Sequence, residues 1–289
     1  FRELDDRSSA LANSLADMGY KKGDRVAVLA ENTHKYLEIY FAVSKLGMSV
    51  TPLNFRLSDD ELDYIVNDSE STGLLVGDGY EERVLALKDK LGLIKNWIAL
   101  DNSVEGLKSY EELIASASNT DPDVEVDEDE MVVLMYTGGT TGLPKGVMMS
   151  NRNLMTALIS VNLEFCFNET DTTCYVLPLF HVSFWAAFGL LMVGGKVVIN
   201  KKPDMNEIMQ LIQDEKCTHI NSVPTIYGWI LMLTDVSAYD TSSLRKITYA
   251  GSPFPPEVLK NCIKAFGDKF SQAYGMTEAA HQMASNPLP

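Results

Sequence analysis

Short runs of β-branched and aliphatic residues alternate along this chain with segments of helical periodicity. The run at 25–29 reads Arg-Val-Ala-Val-Leu, and after it Tyr36, Tyr40 and Val43 fall on one face of an amphipathic segment. A strand followed by such a segment is a βα unit. Further strands are predicted at 73–76, 97–100, 131–136, 196–200, 219–223, 246–250 and 269–274. This alternation predicts an α/β fold with largely parallel sheets flanked by helices.

One long apolar stretch could also be a membrane span, because residues 172–195 carry no formal charge over 24 positions. Pro178, Gly189 and Gly194 interrupt it, which favours two shorter buried elements. We therefore predict a strand at 174–179, a helix at 183–193 and no transmembrane segment.

Charge and cysteine content exclude several functions. The 24 Lys and Arg residues against 40 Asp and Glu residues give a net charge of −16, which repels nucleic acids. The four cysteines are widely spaced and include no C-x-x-C pair, which fits a reducing cytoplasmic compartment. A homodimer and peripheral contact with membranes stay open.

The densest functional signal is a loop rich in glycine and threonine. Glycines let backbone N–H groups approach an anion, hydroxyls add donors, and lysine adds a mobile positive charge, so this composition suits a polyphosphate. It is not a Walker A loop, because Gly146 rather than Ser or Thr follows Lys145. A plain surface turn is the alternative. The candidate binding residues are Thr137, Gly138, Gly139, Thr140, Thr141, Gly142 and Lys145.

A second signal stands at the end of the predicted strand 269–274, where side chains usually face a ligand crevice. Tyr274 offers a flat face for a purine, Thr277 a hydroxyl for a phosphate, and Glu278 a hard oxygen ligand for Mg²⁺. The whole segment reads Gln272-Ala273-Tyr274-Gly275-Met276-Thr277-Glu278.

Together the two motifs resemble those of the adenylate-forming superfamily, which includes acyl-CoA synthetases, aryl-CoA ligases, luciferases and peptide-synthetase adenylation domains. Further matches in order along the chain are Lys22-Gly23-Asp24-Arg25, Pro52-Leu53-Asn54, Leu177-Pro178-Leu179-Phe180-His181 and Gly251-Ser252-Pro253. The resemblance extends over the whole chain, with two departures: Gly138 where many members have Ser, and Ala273 in place of a common Gly.

The resemblance implies transfer of AMP from ATP to a carboxylic acid, followed by capture of the acyl group on CoA. It assigns the β- and γ-phosphates to Thr137, Thr140, Thr141 and Lys145, the α-phosphate to Thr277, and Mg²⁺ to Glu278. Adenine would lie against Tyr274, Gln272 and the turn Gly251-Ser252-Pro253. In the family, a ribose-binding aspartate and a mobile carboxyl-terminal domain lie beyond the position matching Pro289, so we expect this polypeptide to turn over poorly.

The uncharged stretch bears on the substrate. An amino-acid substrate would place its ammonium group in a pocket without a carboxylate partner, which is unfavourable. By resemblance, His181 contacts the substrate carboxylate and Trp185 gates a medium- or long-chain acyl pocket. Val223, Thr225, Gly251 and Met276 complete the predicted pocket. For both His181 and Trp185, core packing is the alternative.

The predicted organisation has an amino-terminal helix at 1–20 packed on the second sheet, a first subdomain at 21–169 and a second at 170–289, with the site between the subdomains. The favoured function is an acyl-CoA ligase acting on a fatty acid. A fatty acyl-AMP ligase, an aryl-CoA ligase and a binding module without turnover are the alternatives.

Overall fold

The computed structural model describes residues 1–138 and 142–285 and divides the chain into two units, Phe1–Asn153 and Leu154–Pro289. Each unit contains one mainly parallel sheet with helices packed against it, which confirms the predicted α/β class. Throughout the described ranges, every helix is too short or too polar to cross a membrane.

Within its described residues, the first unit has a sheet of seven strands in the order β5-β4-β3-β1-β2-β6-β7. All neighbours are parallel except β6 and β7, which form an antiparallel hairpin. The strands are β1 Arg25–Leu29, β2 Ser49–Leu53, β3 Gly73–Val76, β4 Asn96–Ala99, β5 Lys108–Ser109, β6 Met131–Thr137 and β7 Lys145–Ser150. The helices are α1 Arg2–Asp17, α2 Lys35–Lys45, α3 Asp59–Asp68, α4 Glu81–Ala86, α5 Tyr110–Ser116 and α6 Asn151–Phe165, which continues into the second unit.

The second unit, as far as residue 285, has a sheet of six strands in the order β13-β12-β11-β10-β8-β9, parallel except for the β12–β13 pair. The strands are β8 Thr172–Tyr175, β9 Lys196–Ile199, β10 His219–Ser222, β11 Lys246–Tyr249, β12 Phe270–Met276 and β13 His281–Ser285. The helices are α7 Trp185–Met192, α8 Met205–Asp214, α9 Pro224–Leu233 and α10 Pro256–Phe266, with 3₁₀ turns at Val182–Phe184, Val236–Ala238 and Thr277–Ala279.

Burial is continuous along the inner strands of both sheets, although several of these strands carry polar residues. Every residue of β2, β3, β8, β10 and β11 is buried, as expected for parallel strands covered by helices on both faces. In the second unit, α8, α9 and α10 pack on one face around Ile220 and Ile247, while Phe165 of α6 contacts His219 on the other.

His219 is a buried histidine at the centre of the second sheet. Its ring nitrogens lie 3.3 Å from the Thr173 hydroxyl and 3.1 Å from the Thr248 hydroxyl. Burial lowers the pKa of the imidazole to about 3, so the ring is neutral at physiological pH. It is a satisfied core residue.

The first helix and the domain boundary correct two predictions. Helix α1 belongs to the first unit, where Asn13 Nδ2 donates to the backbone carbonyls of Ser118 and Thr120 and Arg7 pairs with Glu38 of α2. Its predicted place was on the second sheet. The division between the units falls inside α6 rather than after Glu169, because Arg152 ties the start of this helix to Asp129 in the first unit.

The strand predicted at 174–179 is also corrected. β8 begins at Thr172 and ends at Tyr175, which pairs with Ile199 of β9. The predicted strand extended beyond the residues that pair with β9 and included Pro178. Proline has no N–H to donate to a neighbouring strand. The helix predicted at 183–193 is confirmed as the 3₁₀ turn followed by α7.

Asp171, just before β8, is a buried carboxylate that should make the stability of the chain depend on pH. Burial of the carboxylate raises its pKa. The carboxylate accepts hydrogen bonds from Arg245 Nε at 2.9 Å, from Thr218 Oγ1 at 2.7 Å and from the Asn168 backbone N–H. These hydrogen bonds outweigh burial, so the pKa of Asp171 lies below its ordinary value of 3.8. A carboxylate with a lowered folded-state pKa stabilises the fold above its unfolded pKa, and this contribution is lost as the pH falls toward the folded value.

We therefore expect Asp171→Asn to lower the free energy of unfolding at pH 7 by about 2 kcal/mol. Urea unfolding at pH 7, pH 4 and pH 3 should show the difference from wild type shrinking below pH 4. Glu169→Gln, which changes an exposed carboxylate two residues away, is the matched control. An equal deficit at every pH would contradict the assigned role.

Candidate functional site

The predicted phosphate loop joins β6 and β7, and its two ends are residues of these paired strands. Thr137 is the last residue of β6 and pairs in register with Lys145, the first residue of β7. Gly138, Gly142 and Lys145 are exposed. A hydroxyl, a lysine and glycines therefore meet at the turn end of the hairpin, a composition that suits an anion. Gly139, Thr140 and Thr141 lie outside the described residues.

The remaining candidates belong to the second unit and gather at one edge of its sheet. Strands β8, β10, β11 and β12 are parallel neighbours, so the segments that follow them start from the same edge. These segments carry His181 after β8, Val223 and Thr225 after β10, Gly251, Ser252 and Pro253 after β11, and Thr277 and Glu278 after β12. Open parallel sheets bind ligands at such an edge.

Two of these segments are in close contact. Gly251 adopts φ +84°, a conformation that side chains rarely tolerate, and a β-carbon placed there would lie 3.5 Å from Val223 Cγ1. One strand further, the Tyr249 hydroxyl lies 3.4 Å from Gln272 Oε1. Tyr249, the last residue of β11, was not among the predicted site residues; it is buried in the core of the second unit and can orient Gln272.

The end of β12 presents an aromatic ring and polar groups to solvent. Ala273 is buried in the sheet, whereas Tyr274 is 62% exposed and Gly275 and Met276 are also exposed. Thr277 and Glu278 lie in the 3₁₀ turn that follows. The Tyr274 face is therefore free to stack on a planar ligand.

The metal-binding potential rests on Glu278, which is exposed. In the part of the chain that the structure describes, no three His, Cys, Asp or Glu side chains cluster closely enough to hold a metal by themselves. A lone carboxylate nevertheless suits Mg²⁺, which usually takes one or two protein carboxylates together with substrate phosphates.

His181 is oriented by its neighbour Ser183. The Ser183 backbone N–H donates to His181 Nδ1 at 3.3 Å, and the Ser183 hydroxyl lies 3.4 Å from the same nitrogen and 3.3 Å from the Tyr175 hydroxyl. His181 is exposed at the surface of the unit, and desolvation of its ring by the surrounding protein lowers its pKa, which favours the neutral form. A neutral ring that accepts at Nδ1 carries its proton on Nε2, which suits donation to a carboxylate oxygen.

Trp185 begins α7 and is 1% exposed. Its ring centroid lies 3.5 Å from that of Phe184 and 6.0 Å from that of Phe188, so it packs in an aromatic cluster. Its buried indole nitrogen Nε1 has no hydrogen-bond partner within the described ranges. The burial agrees with core packing, and the gating role stays a prediction.

Comparisons with known proteins identify relatives along the full sequence. A family model described as AMP-binding enzyme matches residues 1–289. A feruloyl-CoA synthase of an Amycolatopsis species is 34% identical over 97% of this chain and 54% of its own length. A medium-chain-fatty-acid–CoA ligase of Ectopseudomonas oleovorans is 30% identical over 100% of this chain and 55% of its own. The chain thus spans about half the length of these curated relatives.

Among solved structures, the anthranilate CoA ligase AuaEII in complex with anthranoyl-AMP superposes with a TM-score of 0.94. The match covers 99% of this chain and 57% of that chain at 24% identity. At this identity the match shows that the two chains share a fold. The predicted two-sheet architecture is confirmed by this likeness.

Proposed function

Because this chain belongs to the family of AMP-binding enzymes, we propose that it binds ATP and a carboxylic acid as part of an acyl-CoA ligase. The observation that carries the proposal is the hairpin whose ends are Thr137 and Lys145, a loop with the hydroxyls, glycines and lysine that a triphosphate needs. The exposed Tyr274 at the end of β12 supplies a surface for adenine.

In the proposed reaction, a carboxylate oxygen of the acid attacks the α-phosphorus of ATP, and the bond to pyrophosphate breaks. The thiol of CoA then attacks the acyl carbonyl carbon, loses its proton and displaces AMP. Attack by a weak anionic nucleophile on a polyanion is slow unless charge is neutralised and the groups are oriented.

The resemblance to the family suggests each role, and the chemistry of the side chain is compatible with it. Lys145 and Thr137 would bind the departing pyrophosphate, and Thr277 the α-phosphate. His181 Nε2–H would hold the carboxylate of the acid. Mg²⁺, with Glu278 as its protein ligand, supplies positive charge at the phosphates when bound.

For the acid, a medium- or long-chain fatty acid is the leading candidate. No Asp or Glu occurs between Thr172 and Gly195, so an ammonium group would find no carboxylate partner along this stretch. The 34% identical feruloyl-CoA synthase supports an aromatic acid as the second candidate. Two further functions, a fatty acyl-AMP ligase and a binding module without turnover, give different outcomes in the experiment below.

An isotope-exchange panel tests the proposal on the natural protein. ATP–pyrophosphate exchange is measured with decanoate, hexadecanoate, ferulate, an amino acid and no acid, and CoA-ester formation is followed separately. Exchange with a fatty acid and a CoA ester is the expected result. Exchange without a CoA ester favours the acyl-AMP ligase, a ferulate preference favours the aryl ligase, and binding without exchange favours the module.

The 289-residue polypeptide tested alone should bind MgATP but form acyl-adenylate slowly. The chain covers 54–55% of the length of these curated relatives, and each group that stabilises transition-state charge is typically worth orders of magnitude in rate, so a match to part of an enzyme need not carry its full rate. Single-turnover formation of labelled acyl-AMP checks this, with a whole relative as the reference. Equal rates would contradict the prediction.

A further inference from the structure

Helix α3 contacts both ends of the phosphate-loop hairpin. The Tyr64 hydroxyl donates to the Pro144 carbonyl oxygen at 3.3 Å, and the Tyr136 hydroxyl donates to Asp68 Oδ2 at 2.6 Å. Tyr64 and Asp68 are four residues apart on α3, so they project from the same helix face. One rigid element therefore reaches the strand that enters the loop and the segment that leaves it.

The contacts fall directly beside the predicted phosphate-binding residues. Tyr136 immediately precedes Thr137, and Pro144 immediately precedes Lys145. Thr137 and Lys145 are themselves register partners, with Thr137 Oγ1 3.5 Å from the Lys145 carbonyl oxygen. A shift at either contact would move a residue that we assign to the triphosphate.

Gly146 makes room for the Tyr136 ring. A β-carbon at Gly146 would lie 2.8 Å from Leu134 Cδ1 and 3.2 Å from Tyr136 Cζ, which is closer than packed side chains tolerate. The ring therefore lies across the hairpin at its register partner Gly146, and its hydroxyl reaches Asp68.

Helix α3 is fixed well enough to act as a reference for the loop. Leu62, Ile65 and Val66 are buried in the core of the first unit. The helix starts with a capping box in which the Ser58 hydroxyl accepts from the Glu61 backbone and the Glu61 carboxylate accepts from the Ser58 backbone. A helix held at its start and along its buried face resists displacement.

We propose that Tyr64 and Asp68 are positioning residues that fix the two described ends of the loop, beside Thr137 and Lys145, for binding of the β- and γ-phosphates of ATP. The inference rests on the proposed function, since the loop matters only if it binds a polyphosphate. Neither side chain needs to touch the nucleotide. Replacing them should therefore change the affinity only for ligands that reach the loop. The affinity for a ligand without β- and γ-phosphates should stay the same.

Calorimetric titration of the natural protein with MgATP and, separately, with AMP tests this specificity. We expect Tyr64→Phe and Asp68→Ala each to weaken MgATP binding about threefold to tenfold, the worth of one hydrogen bond, and to leave AMP binding within about twofold. Asp68→Asn keeps an acceptor oxygen for Tyr136 and should restore most of the MgATP affinity. Melting temperatures are recorded for every variant.

Matched controls remove comparable exposed contacts elsewhere. Asp60→Ala removes the exposed contact that Asp60 of α3 makes with Lys90, and Tyr239→Phe removes a hydroxyl contact with Asn206 in the second unit. Both should bind MgATP like wild type. If Tyr64→Phe and Asp68→Ala leave the MgATP affinity unchanged, or weaken MgATP and AMP equally, the inference is wrong. A wild-type protein that binds AMP and MgATP equally would instead contradict the polyphosphate role of the loop itself.

Discussion

Trp185→Ala is expected to lower the free energy of unfolding by about 3–5 kcal/mol, because removing a fully buried indole leaves a cavity that its neighbours fill only in part. The indole is 1% exposed and packs against Phe184 and Phe188. Trp185→Phe should recover part of this loss. Trp229→Ala removes a tryptophan that is 44% exposed on α9 and should cost much less. Urea unfolding followed by circular dichroism measures all three.

The same variant also distinguishes a gate from a core residue. If Trp185 controls entry of an acyl chain, Trp185→Ala should change the ratio of kcat/KM for long and short acids. Each methylene group that gains or loses apolar contact should change the free energy of the transition state by about 0.8 kcal/mol. His181→Ala is the contrast, because every acid shares the carboxylate and should be affected alike. If Trp185→Ala lowers stability while scaling all acids equally, the gating role is wrong and the fatty-acid assignment loses support.

The fold could be predicted where local pattern and tertiary environment agree. The strand predicted at 25–29 matches β1, and that at 73–76 matches β3, because both are short runs buried on both faces. Strand β2 escaped detection since Pro52 stands inside it, paired with Val28, and proline normally argues against an interior strand. The placement of α1 failed because helix periodicity reveals a buried face but does not identify what covers it.

The candidate site was predictable only as far as chemistry is local in sequence. The loop glycines and Lys145 form one contiguous motif, and the residues that end β12 form another. Within the second unit, the parallel strands bring the segments that follow these strands to one edge of the sheet. The contact of Asp68 with Tyr136 joins residues 68 positions apart, and the contact of Tyr64 with Pro144 spans 80. Such contacts depend on how α3 packs beside the hairpin. Neither a sequence motif nor hydrophobic periodicity predicts this packing. Burial of Trp185 is likewise a property of the assembled aromatic cluster.

Lys145→Ala should reduce kcat/KM for ATP by about 10²–10³-fold in the natural protein, the usual cost of removing one group that stabilises developing charge. Lys145 is exposed at the start of β7, so its removal should leave the melting temperature unchanged. Lys145→Arg keeps the charge but not the shape of the head group and should retain part of the activity. Lys264→Ala, at another exposed lysine on α10, is the matched control.

Glu278→Gln should lose activity in a different way, since an amide oxygen is a weaker ligand for a hard cation than a carboxylate. We expect its rate to recover at higher Mg²⁺, with a concentration for half-maximal activity at least about tenfold above wild type, the difference that about 1.4 kcal/mol of binding makes. Lys145→Ala should keep the wild-type Mg²⁺ dependence at a lower plateau, because it removes a charge and no metal ligand. Magnesium titrations at saturating acid separate the two profiles. Coincident curves for the two variants would mean that the lysine and the carboxylate have been given the wrong roles.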